Sequence, residues 1–95
     1  MKDIMKIIED FRVNRGWDKT DTPNILAKSI MVEAGELLEN FIWQEEPKSL
    51  QNTKEELADV LIYALTLCKL LNLEPAQIIE EKLEINKIKY PDPIK

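Results

Sequence analysis

An all-α fold, a four-helix bundle with helices at about 3–15, 23–45, 53–72 and 75–90, is what this sequence predicts. Three observations carry that prediction. Apolar residues recur at helical spacing in successive runs along the chain. Helix punctuation falls between those runs, at Gly16, Thr22-Pro23, Pro47 and Pro75. The third run, around residues 55–65, is apolar nearly all round, the pattern of a helix buried on more than one side, yet it carries carboxylates.

In helix one, Ile4, Ile7, Ile8 and Phe11 stand at helical spacing and Gly16 is the natural terminator. A short polar loop with Arg12, Arg15, Trp17 and Lys19 follows and reads as a solvated helix end with Trp17 as a packing anchor. Thr22 is suited to cap helix two and Pro23 to occupy its first position. Leu26, Ile30, Leu37, Leu38 and Phe41 give this helix its apolar face, and Glu33, Glu36 and Asn40 line one edge of it. Gly35 in mid-helix costs roughly 1 kcal/mol against alanine, so another backbone or a ligand is expected to approach there. A loop with Pro47 leads to helix three, where Thr53 and Glu56 have the spacing of a capping box. Capping does not account for Asp59, one turn deeper and beside Val60. Helix four opens at Pro75, turns Ile78, Ile79 and Leu83 toward a core, and carries a polar stripe of Lys82, Asn86 and Lys89. Tyr90-Pro91 ends it, and the tail through Lys95 adds no further element.

Ninety-five residues, 44% apolar and 33% charged, suit one small domain over 1–95. A single cysteine, Cys68, leaves no intrachain disulfide to support so small a core, which favours a homo-oligomer, dimer or tetramer. No signal-like N-terminus and no apolar run of membrane-spanning length is present, so the expected compartment is the cytoplasm, with no membrane partner. A net charge of −5 argues against a nucleic-acid partner, whose footprint would be a basic face. The absence of histidine removes histidine-based zinc sites and every Ser-His or Cys-His catalytic pair.

Two helices thus each present carboxylates at i and i+3, Glu33 with Glu36 and Glu56 with Asp59, and the short connection makes them antiparallel neighbours. Carboxylates beside apolar stripes must be protonated, paired or metal-bound. Oxygen ligands without histidine or thiolate favour Mg2+, or Mn2+, and Mg2+ characteristically shares its shell with substrate phosphates. A phosphorylated substrate follows, with Lys82 and Lys89 available to its remaining charge. No glycine-rich phosphate loop of the Walker type occurs.

At these residues the chain resembles the MazG-like, all-α nucleoside triphosphate pyrophosphohydrolases, including the dCTP pyrophosphatase branch. The resemblance rests on Glu33-Ala34-Gly35-Glu36, nineteen residues, then Glu56-Leu57-Ala58-Asp59, with Phe41-Ile42-Trp43, the run to Tyr63, and Lys82, Asn86 and Lys89-Tyr90-Pro91 in order. It implies an intertwined helical homo-oligomer that converts an NTP or dNTP to the monophosphate and pyrophosphate and serves nucleotide-pool cleansing. It further implies Mg2+ on Glu33, Glu36, Glu56 and Asp59, phosphate contacts from Lys82 and Asn86, and a base and sugar pocket drawn from Trp17, Trp43 and Tyr63. Glu36, farther from the apolar stripe than Glu33, is the favoured acceptor of the water proton. Two alternatives stand beside this reading: a non-enzymatic helical interaction module, and a phosphoribosyl-ATP pyrophosphohydrolase-like relative.

Overall fold

Helix α1 spans Lys2–Asn14 and stops at Gly16, whose φ of +74° is left-handed and whose N–H donates to the Val13 carbonyl at 3.0 Å. Glycine takes that conformation without steric cost, which sets the end of the helix. The computed structural model describes residues 1–93; after α1 come a single 3₁₀ turn at Trp17–Lys19 and helices α2 (Pro23–Leu38), α3 (Leu50–Leu70) and α4 (Pro75–Lys89). Among the described residues every regular element is helical, as the sequence predicts. The expectation for the tail at Ile94 and Lys95 falls outside the described residues.

Both proline-led starts form. Thr22 Oγ1 accepts from the Ile25 N–H at 3.3 Å ahead of Pro23, and the Glu74 carboxylate accepts from the Gln77 N–H at 2.7 Å ahead of Pro75. Helix α3 closes on a Schellman motif. Asn72 adopts a φ of +56°, its N–H donates to the Lys69 carbonyl at 3.2 Å, and the Leu73 N–H reaches the Cys68 carbonyl at 2.8 Å.

Two boundaries differ from the sequence expectation. Helix α2 ends at Leu38 rather than near residue 45, because Asn40 turns inward and becomes the hub of the following loop. Its side-chain oxygen accepts from the Ser49 N–H at 3.1 Å, its Nδ2 donates to Asn52 Oδ1 at 2.9 Å, and its carbonyl accepts from the Lys48 N–H at 2.9 Å. Helix α3 begins one turn early, at Leu50, capped by Ser49, which accepts from the Asn52 N–H at 3.1 Å. Thr53 instead donates its hydroxyl to the Ser49 carbonyl at 2.7 Å, so the expected Thr53–Glu56 capping box does not form and Glu56 is available for other work.

Helices α2 and α3 form the dominant antiparallel pair, and α1 lies more lightly against α3, helped by a Lys69–Glu9 ion pair at 3.7 Å. Helix α4 has no packing of comparable extent on any other element, so Ile79, Leu83 and Ile88 are exposed, the last at 86%, rather than facing a core in this chain. Leu57 and Leu61 of α3 are likewise exposed, so within one chain the all-round apolar helix is covered by α2 and α1 and left open along its Leu57–Leu61 side. The radius of gyration is 16.2 Å, against about 12 Å for a compact chain of this length. Leu26 is the one fully buried apolar side chain among the described residues. Gly35 points away from α3, with Met31 and Val32 exposed on the same side, and a Cβ built on it would meet no atom within 4 Å. The close approach expected there is not made within the chain.

Candidate functional site

The antiparallel pairing of α2 and α3 brings the two acidic pairs to one place. One carboxylate oxygen each from Glu33, Glu56 and Asp59 lie within 4.8 Å of one another, all on half-buried residues. Helical spacing does this: Glu56 and Asp59 are one turn apart on α3, and Glu33 stands two turns along α2 from the buried Leu26, on the same face of that helix. Glu36 is exposed and stands outside the group of three, yet its carboxylate acts on both Glu33 and Glu56.

One oxygen of Glu33 and one of Glu56 are buried without any hydrogen-bond partner. No Lys or Arg lies within 4.0 Å of any of the four carboxylates among the described residues. Mutual repulsion in this setting favours protonation. The Glu56 carboxyl is pushed up to about 7, first by its hydrogen bond with Glu33, then by that with Glu36 and by burial. Burial is the first cause raising Glu33, and Glu36 and Asp59 add to it. The two carboxyls of the metal-free pair therefore give up their protons less readily than free carboxyls do. Orphaned, converging carboxylate oxygens are the donor set that a hard divalent cation satisfies, and this donor set fits Mg2+ or Mn2+.

Tyr63, one turn beyond Asp59, is half-buried, and burial together with the charges of Glu33, Asp59 and Asp21 keeps its hydroxyl protonated, a hydrogen-bond donor. Thr66 continues the stripe but is buried, its hydroxyl donating to the Ile62 carbonyl at 2.7 Å. Trp17 is half-exposed, edge-on to Phe11 with ring centroids 5.7 Å apart. Trp43 projects from the loop at 90% exposure, so it belongs to no core within this chain. Lys82, Asn86 and Lys89 lie on α4, which the single chain does not pack against the acidic pairs, and neither lysine is paired with a carboxylate among the described residues. Lys89 sits 5.4 Å from the Tyr90 ring centre. The structure thus gathers Glu33, Glu36, Glu56, Asp59 and Tyr63 and leaves the α4 stripe apart. Two contributors escaped the sequence reading, the Asn40 hub that fixes the α2–α3 connection and an ion pair between Arg12 and Asp21 at 2.9 Å. Asn40 at the end of an apolar run was the one local signal for the first.

A family model described as MazG-like matches residues 28–93, which include both acidic pairs and the α4 stripe. The chain belongs to the MazG-like family. A crystal structure of a pyrophosphatase from Archaeoglobus fulgidus superposes on this MazG-like chain with a TM-score of 0.89 and 39% identity, covering 97% of this chain and 93% of that one. Mouse dCTP pyrophosphatase 1 is 30% identical over 96% of the chain, and the human protein of the same name 29%. The MazG-like chain spans 59% of the length of these curated relatives. Among its described residues no helix is long and apolar enough to cross a membrane.

Proposed function

We propose that the chain is a Mg2+-dependent nucleoside triphosphate pyrophosphohydrolase, converting an NTP or dNTP and water to the monophosphate and pyrophosphate, as the names of its relatives suggest. The observation that carries this reading is the convergence of Glu33, Glu56 and Asp59 with two buried, partnerless oxygens and no cation in reach.

Glu33, Glu56 and Asp59, with Glu36 beside them, would hold the metal. Bound there, Mg2+ supplies charge neutralisation for the triphosphate and acidifies a bound water. The chain's own residues do the rest. Glu36, exposed and outside the group of three, accepts the proton as the water oxygen attacks the α phosphorus. The bond from the α phosphorus to the bridging oxygen breaks, and pyrophosphate departs with that oxygen. The hydroxyl of Tyr63 donates toward the sugar end, and Trp17 and Trp43 offer faces for the base.

The working unit is a homo-oligomer, dimer or tetramer. Its support is the elongated chain, the single fully buried apolar residue, and the apolar outer faces of α2 and α4. An open apolar groove of about 510 Å³ between Ala34, Leu37, Phe41 and Leu57 is part of the same uncovered surface. A second copy is then the source of Lys82, Asn86 and Lys89, which contact the phosphates in trans. The reaction serves nucleotide-pool cleansing in the cytoplasm. Pyrophosphate release from a panel of NTPs and dNTPs, with Mg2+ and then EDTA, tests the reading; a folded oligomer that releases none from any of them sinks it.

A further inference from the structure

Arg12 is the one buried charged residue among those described, its side chain 8% exposed, and it borders the seam between α1 and α3 with Ile8, Leu65 and Thr66. Its Nη2 donates to Asp21 Oδ2 at 2.9 Å, across nine positions of sequence. A buried ion pair is a poor stabiliser: apolar residues of similar volume serve as well or better, because both charges must be stripped of water. Its location suggests another use. The Asp21 N–H donates to the Trp17 carbonyl at 2.9 Å, and Thr22, the next residue, caps α2. Phe11, the neighbour of Arg12, carries Trp17 on its edge and the Arg15 guanidinium 3.4 Å from its ring centre. Arg12 and Asp21 therefore tie together the end of α1, the turn that presents Trp17 and the start of the helix that presents Glu33. The charge of Asp21 is also felt at Tyr63.

We propose that the Arg12–Asp21 ion pair is a positioning device for the nucleoside end of the site, holding Trp17 in fixed relation to α3 so that base and sugar meet a preformed surface. The proposal rests on the nucleotide reading above. Neither residue touches the reacting phosphate; each acts through the turn it holds.

The test separates positioning from stability. Arg12→Met leaves Asp21 without its partner and is expected to lower Tm and raise KM for the preferred nucleotide about tenfold, with kcat within about twofold. In the double variant Arg12→Met/Asp21→Leu both charges are gone, so Tm is expected to recover to near the wild-type value. KM is expected to stay raised, and the Mg2+-induced rise in Tm to stay intact, since the acidic cluster is untouched. A double variant whose KM returns with its Tm shows that the pair is merely structural and overturns the proposal. So does a loss of kcat at unchanged KM. A wild-type oligomer that releases no pyrophosphate sinks the nucleotide reading itself, and this proposal with it.

Discussion

The α2–α3 pair and α4 both carry polar residues at helical spacing, yet they stand in opposite conditions. On α2 and α3 the polar residues face one another, and Glu33, Glu56 and Asp59 meet within 4.8 Å. On α4, Lys82, Asn86 and Lys89 lie on a helix without substantial packing on any other among the described residues, and the apolar residues between them are exposed. One chain brings the acidic cluster together and holds the α4 stripe apart from it. Anions crowd together where their repulsion is unrelieved, while the cations that would relieve it lie elsewhere. On the proposed reading the substrate and its metal link two copies across that division, and each of the following experiments acts on one side of it.

The largest effect is expected from Glu56→Gln. Turnover should fall at least about 100-fold and the Mg2+-induced rise in Tm should vanish. In EDTA the same variant should melt higher than wild type, because it removes a repulsive group from the cluster; turnover and melting curves with and without Mg2+ check both. Next comes complementation. Lys82→Ala and Glu56→Gln, each inactive alone, should regain about one quarter of wild-type activity when dissociated and reassociated together, since half of random dimers then carry one intact site. Recovery of nothing would place α4 in cis and break the comparison.

A smaller effect is expected with pH. The folded carboxyl of Glu56 titrates near 7 against an ordinary value of 4.5, so the metal-free folded state binds the extra proton between those limits. Stability in EDTA is therefore greatest below about pH 4.5 on this group's account and declines as pH rises toward 7. Saturating Mg2+ should flatten that decline, which melting curves at pH 5, 6 and 7 would reveal. The smallest effect concerns Gly35. In open solvent Gly35→Ala would stabilise α2 by up to about 1 kcal/mol. On the outer apolar face of an assembled oligomer we expect the reverse, a slightly lower Tm; an increase would show that this face stays in water.

The fold was legible where the signals are local. Thr22-Pro23, Pro75 and Gly16 each act through their own backbone, and each ends or begins a helix as its chemistry requires. The α2–α3 connection was not, because Leu37, Leu38 and Phe41 continue a helical pattern across a stop that Asn40 makes by bonding to Ser49 and Asn52, nine and twelve residues away. Thr53 drew the helix start to itself for the same reason, one turn after Ser49 had already capped it. For the site, the i and i+3 spacing was enough to bring Glu56 and Asp59 to one face of α3 opposite Glu33, while Glu36 lies exposed outside that group. The Arg12–Asp21 pair lay beyond such reasoning: nothing local says that Arg12, in the last turn of α1, goes inside while Arg15 and Lys19 do not.

The Asn40 hub has a consequence for how this chain can change. The Asn40 side chain pins Ser49 and Asn52 to the end of α2, and its carbonyl accepts from the Lys48 N–H and from Gln44 Nε2 within the loop, so a single residue sets the register of the two acidic helices. Residues 41–47, Trp43 among them, thereby form a loop whose length the two helices do not depend on. Doubling their number costs only about 0.6 kcal/mol in closure entropy and leaves the carboxylates where they are. Insertions there can alter what the protein greets at its surface, the setting of Trp43 included, while the acidic helices keep their register.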